Sequence, residues 1–565
     1  MSNRSYTVLC SIMVLPADSL FLFLGNQERS SMRKFITISL FLLLSGVIAG
    51  NGNAKLNPSI DVKKYSFGLD LNDTSDIIIG HAVISLTVKQ LTDSLRFDLR
   101  SVREDGKGMT VNAVSVNSGN LGRSGWTHRN NKVSIESPVS MKIGDLIAIT
   151  IFYRGIPADG LLISRNKFGN RTFFADHWPD RASHYLPCID HVNDKAAVEF
   201  IITAPVRYKV VSNGTLVEES NLPGNLRLTH WVENTPLPVK VMTFGAAEFA
   251  TNLAGVASGV PVWSYVYPEN RTAGFSDYAL ALKPIEYYSE LIGQYPYPKL
   301  ANVQSKTVFG GLENAGCIFY SEGSVTGTGR SEGLIAHEIA HQWFGNSVTE
   351  ADWHHVWLSE GFATYLTSLY WENKEGQTRL KSDMKAARDR VLRASVQNPK
   401  PVIDTTIVNL MDLLSANSYQ KGSWVLHMLR NELGNETFFS GLRLYYSRYQ
   451  KRNAMTADLQ KVMEEVSGKN LEEFFHQWLY VTGQPDLKIG YTYNERTSET
   501  EITVTQTQAS IFRFPLEIEI SGSDGSKRLK LDVTERVAKT ATRSAGRPSS
   551  VIIDPEVVLL FREIK

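Results

Sequence analysis

Hydrophobic and polar positions follow two different periods along the chain. From about residue 55 to 250, apolar residues alternate with polar ones or gather in short β-branched runs. Examples are Ala82-Val-Ile-Ser-Leu-Thr-Val88 and Leu146-Ile-Ala-Ile-Thr-Ile-Phe-Tyr153. Runs of this length and composition fit pleated, half-buried strands. Val198-Glu-Phe-Ile-Ile-Thr-Ala-Pro205 opens another strand series, and Asn213-Gly214 suits a hairpin turn. Few windows here have helical spacing, so a large antiparallel β domain is expected. Around Tyr278 the spacing changes to that of a helix, kept through Ile292 apart from Pro284, and helices are expected to dominate to about Trp478. Alternation returns from Gln484 to Lys565, as in Leu516-Glu-Ile-Glu-Ile520, with a turn at Ser521-Gly522-Ser-Asp-Gly525. That length fits a small β-sandwich. The expected architecture is therefore α+β and multidomain, divided at 55–252, 253–484 and 485–565.

Ahead of these lies Met32-Arg33-Lys34, then the apolar run Phe35 to Ala49, then Gly52-Asn53-Ala54. A basic start, an apolar stretch short for a membrane span and a small-x-small ending read as an export signal over residues 1–54 whose start is Met32. The alternative is an uncleaved anchor, the one way this sequence would engage a membrane. A periplasmic or secreted location is expected.

Composition narrows the picture little. At 565 residues several cores are needed, and 42% hydrophobic with 21% charged residues is ordinary for globular proteins. A net charge of +1 gives no electrostatic case for nucleic acid or for anionic lipid. The three cysteines, Cys10, Cys188 and Cys317, cannot build a disulfide framework. Cys188 and Cys317 could pair, but two buried thiols are the plainer expectation. Oligomeric state is left open.

The chemistry concentrates in Gly333-Leu-Ile-Ala-His-Glu-Ile-Ala-His-Gln-Trp-Phe-Gly345, which reads as one helix. Residues four apart share a helix face, so His337 and His341 can offer two imidazoles to one metal ion, with Glu338 placed as a general base. Eighteen residues after His341 comes Glu360, which reads as the first turn of a new helix with Ser359 as its N-cap. A glutamate there is also favoured by the helix dipole alone. Joined to the two histidines it completes a catalytic zinc set, one Zn2+ per chain, with a position left for water. Hydrolysis at such a site needs a further donor for the oxyanion.

These motifs, with Gly310-Gly311-Leu312-Glu313-Asn314, resemble the aminopeptidase N family of gluzincins. Tyr295-Pro-Tyr-Pro-Lys299, His341-Gln-Trp-Phe-Gly345, Tyr419-Gln-Lys-Gly422, Phe474-Phe-His-Gln-Trp-Leu479 and Pro187-Cys188-Ile-Asp190 extend the match over most of the mature chain. The resemblance implies a thermolysin-like catalytic domain and a zinc aminopeptidase acting on peptides with a free N-terminus. It implies that Gly310 to Asn314 bind the substrate backbone and that Glu313 grips the α-amine, where residues alone suggest a flexible turn and a surface glutamate. It also implies that Tyr419 donates to the oxyanion, whereas the sequence alone reads Tyr419 as a core aromatic at a helix start.

The chain departs from the family pattern in four places. Leu312 stands where methionine is usual. In Phe174-Ala-Asp-His-Trp-Pro179 the family's Gln and Glu, two residues apart, align with Asp176 and Trp178. Asp176 then either supplies the missing charge or caps a turn. Asp352-Trp353-His354-His355 replaces Trp-Trp-Asn-Asp, and its histidines are expected to support the ligands from behind or to be structural, because the ligand positions are filled. Many family members continue past the β-sandwich into a long helical domain where this sequence stops, and the expectation is a more open cleft or closure by another subunit. Competing readings are an endopeptidase resembling thermolysin, an epoxide hydrolase related to leukotriene hydrolase, and an inactive binding module.

Overall fold

The computed structural model describes residues 58–564, apart from 139, 140, 398 and 524. The export signal expected over 1–54 lies outside them. Among the described residues no helix is long and apolar enough to cross a membrane.

The alternating stretches form strands whose every second residue is buried, as in Ile78–Val88 and Lys195–Pro205. They build an eight-stranded sheet, beside sheets of four and three strands. The large sheet is not purely antiparallel as expected. Ile60–Asp70 pairs in parallel with Lys195–Pro205, Lys64 lying opposite Ala197. Asn213-Gly214 leads from Lys209–Ser212 into Thr215–Leu222, which join different sheets, so no hairpin forms across it.

A second, mixed sheet carries the site. Its order is Ala250–Ala257, Val260–Val266, Leu300–Ser305, Cys317–Ser321 and, at the edge, Gly311–Leu312. The first of these strands crosses the boundary expected at 252/253. The helix expected from Tyr278 begins earlier, as Arg271–Tyr278, and resumes as Leu282–Leu291. Pro284 sits in the first turn of the latter, where its missing N–H leaves no helical bond unmade.

The zinc-motif helix spans Glu332–Ala340 and is shorter than expected, with His341 as its C-cap. The next helix spans Trp357–Glu375. Ser359 therefore lies inside its first turn and does not cap it. At Gly361 a Cβ would come within 2.9 Å of the Gly422 backbone, so glycine lets this helix touch the one at Gly422–Leu433. Just before that second helix, Asn417–Lys421 forms a π-helical turn carrying Tyr419.

The C-terminal stretch forms sheets of four and three strands, Asp486–Asn494 being central to the first and Phe514–Gly522 to the second. Their buried faces join the main apolar cluster through Leu487, Ile502, Leu516 and Ile518. Cys188 and Cys317 are both buried, and no disulfide joins them.

Candidate active site

Helical spacing places His337 and His341 one above the other, their Nε2 atoms 3.2 Å apart. Glu360 Oε2 lies 3.5 Å from His337 Nε2 and 3.2 Å from His341 Nε2. This oxygen is buried and makes no hydrogen bond. Three ligand-type atoms converging on one point, with the buried Glu360 oxygen unsatisfied, fit a metal ion, and the residue types are those of a zinc site. Ligand atoms of the three side chains lie within 4.8 Å of one another.

The far side of His341 is also held. Its Nδ1 lies 3.0 Å from the Ser359 hydroxyl and 3.3 Å from the Phe344 carbonyl, which leaves Nε2 facing the cluster. Ser359 is thus a positioning group that the capping pattern misassigned. His337 stacks on the Tyr419 ring, with centroids 6.1 Å apart and planes 11° apart.

Burial opposes charge at all these groups, and at His341 and Glu360 the neighbours outweigh it. At His341 burial works against protonation, but the carboxylates, Glu360 foremost, outweigh it and lift the imidazole to about 9. At Glu360 burial is overcome by the two histidines, which hold its carboxyl well below the usual range. Burial pushes Glu338 well above the usual carboxyl range, and Glu313 and Glu360 add to this. Burial likewise raises the Tyr419 phenol.

A cleft of about 230 Å³ gathers most of the expected residues: His337, Glu338, His341, Glu360, Tyr419, Gly310, Gly311, Leu312 and Glu313. Gly311 is required by space, because a Cβ there would lie 2.3 Å from Glu338 Oε1. Glu313 is fixed through its backbone carbonyl, which accepts from Gln342 Nε2 at 3.1 Å and Asn346 Nδ2 at 2.5 Å. Its side chain is buried, and Oε1 has no hydrogen-bond partner. A larger groove of about 760 Å³ elsewhere, between Lys283, Glu290, Lys374 and Arg443, contains none of this cluster.

Two expected site residues do not line the cleft. Asn314 is buried behind the edge strand, its backbone N–H donating to Leu312 at 2.9 Å. Asp176 is fully buried and committed elsewhere: one carboxylate oxygen pairs with Arg181, and the other accepts from the Thr307 hydroxyl at 3.0 Å and the Val308 N–H at 3.3 Å. Its charge fastens the loop leading to Gly310-Gly311 and does not face a ligand. His354 and His355 are structural as expected, bonded to Asp352 at 2.7 Å and to the Thr456 hydroxyl at 2.8 Å. Trp178, aligned with a family glutamate of the site, does line the cleft, and so do Phe309, Leu334 and Leu414, which were not expected there. They come from separate elements, so no spacing in the sequence could collect them.

Fold and cleft together carry the ligand pattern of the gluzincins: two histidines and a glutamate on successive helices, beside an edge strand that is followed by Glu313. Residues 278–478 match the Peptidase family M1 domain, and residues 62–239 match the Peptidase M1 N-terminal domain. The chain belongs to this family, in its aminopeptidase N type. Human glutamyl aminopeptidase is 29% identical over 336 residues, covering 56% of this chain and 35% of its own length. Aminopeptidase M1-C of Oryza sativa subsp. japonica is 28% identical over 367 residues, covering 62% and 42%. The chain therefore spans less than half the length of these curated relatives. The crystal structure of Legionella pneumophila aminopeptidase A in complex with aspartic acid superposes with a TM-score of 0.77, covering 91% of this chain and 61% of that one. At 16% identity, that likeness speaks for the fold alone.

Proposed function

We propose that this chain is a zinc-dependent aminopeptidase that removes the first residue from peptides. The observation that carries this reading is Glu313 Oε1, a buried carboxylate oxygen without a partner, in the same cleft as His337, His341 and Glu360. An unpaired buried carboxylate is costly unless a cation completes it. A peptide's α-ammonium does so, and it ties cleavage to the chain's free end.

His337, His341 and Glu360 would hold the zinc ion, which when bound supplies a Lewis acid and makes water more acidic. Glu338 takes the proton of the attacking water at its carboxylate and passes it to the departing amine. The Tyr419 hydroxyl donates to the oxygen of the scissile carbonyl as negative charge develops there. The edge strand Gly311–Leu312 offers backbone groups to the peptide, in the manner of strand addition.

The test compares a free peptide with its N-acetylated form, each with and without a chelator. We expect chelation to abolish cleavage and acetylation to lower kcat/KM by about a hundredfold or more, as for loss of a buried charged partner. Equal rates on the two peptides would replace this reading with an endopeptidase.

A further inference from the structure

The wall of the cleft has an unusual construction. Trp178, only 2% exposed, lines it and packs edge-on against Phe309 and Trp353, with centroids 6.1 and 5.8 Å apart. Each of these rings is backed by a cation. Lys240 Nζ lies 5.6 Å from the Trp353 ring and the Arg181 guanidinium 5.9 Å from that of Phe309. Both cations are already committed, Lys240 to Glu350 at 2.5 Å and Arg181 to Asp176 and Asp159. Among the described residues lining the cleft there is no lysine or arginine, and its carboxylates are Glu313, Glu338 and Glu360.

An acidic side chain entering here would lose water against rings and aliphatic groups while facing carboxylates of its own sign. A basic side chain would need one of the same three carboxylates, each of which has another task. An apolar side chain meets Trp178, Phe309 and Leu414 and gives up nothing.

Building on the aminopeptidase reading, we propose that this site selects peptides whose first residue is a larger apolar one, such as leucine or phenylalanine, and that Trp178 is the residue that determines this choice. The test is a panel of aminoacyl-7-amido-4-methylcoumarins bearing Leu, Phe, Ala, Glu or Lys, with acetyl-Leu as control, on the zinc-loaded enzyme. Leu and Phe are expected to exceed Glu and Lys in kcat/KM by about a hundredfold. Rates for Glu or Lys within about threefold of Leu overturn the selectivity and leave the aminopeptidase reading standing. Equal rates on Leu and acetyl-Leu overturn that reading and the proposal with it. Trp178→Ala should lower the Leu-to-Ala ratio about tenfold, with zinc content and circular dichroism unchanged. If that variant does not fold, Trp178→Phe should lower the ratio by a smaller step. An unchanged ratio in either folded variant removes Trp178 from the role. Thermal protection by free leucine but not by free glutamate gives a readout independent of turnover, and equal protection by both counts against the proposal.

Discussion

His341 is held from both sides: Nε2 faces Glu360, and Nδ1 meets the hydroxyl of Ser359. Ser359→Ala should therefore weaken zinc binding by about 10–100-fold, the usual effect of losing a group that orients a ligand, as read by competition with a chromogenic chelator. Unchanged affinity would make the Ser359 contact incidental. Glu338→Gln should keep zinc affinity within a few-fold and lower kcat by about a hundredfold or more. A variant that turns over normally would remove Glu338 as the base. The helical period alone made His337, Glu338 and His341 legible, because four-residue spacing has one spatial meaning on a helix. Ser359 was misread because a serine before a helical run also satisfies the N-cap rule, and only the true helix start, at Trp357, separates the two. Trp178 was noticed as a departure, but its place in the wall depends on Phe309 and Trp353, far away along the chain.

The strand–loop–strand unit ending in Gly311–Leu312 depends on a tie to a different sheet. Asp176 follows Arg171–Ala175 and reaches across to Thr307 and Val308. Asp176→Ala leaves the Arg181 guanidinium short of a buried partner and frees that loop. The expected cost is about 3 kcal/mol of unfolding free energy, the low end for a broken buried pair because Asp159 also contacts Arg181. Urea denaturation measures it, and a loss under 1 kcal/mol would show that the tie is dispensable. Element types were readable from period, but lengths were not. The helix at Glu332–Ala340 stops because the chain turns at His341 to place Gln342 and Asn346 against the Glu313 carbonyl, a tertiary requirement with no local signal.

Acid should draw stability from two buried histidines while it relieves the buried carboxyls of Asp190 and Asp194, which burial raises to about 7. Burial lowers the pKa of His177 and His427 from 6.5 to about 4, so the folded state keeps both neutral. Because the folded values are depressed, their contribution is complete above pH 6.5 and is lost as pH falls from there towards 4. Each site can withdraw at most about 3 kcal/mol over that window. Between pH 6.5 and 4.5 the melting temperature of the native protein should therefore lose ground to that of His427→Gln; parallel profiles would exclude His427 as a source. In the fold, the β-rich and helical regions were legible from alternation and helical spacing. The parallel strand pair was not, since both partners look like any other alternating run.

That pair also sets an order of events in time. Ile60–Asp70 can find its antiparallel neighbour Ile78–Val88 almost at once, because the two are close along the chain. Its other edge must wait for Lys195–Pro205. A growing or refolding chain therefore carries an open strand edge for as long as it takes the intervening residues to be made or to settle. During that wait the edge can be borrowed by another chain, so the most dangerous moment for this protein falls early, long before any site exists.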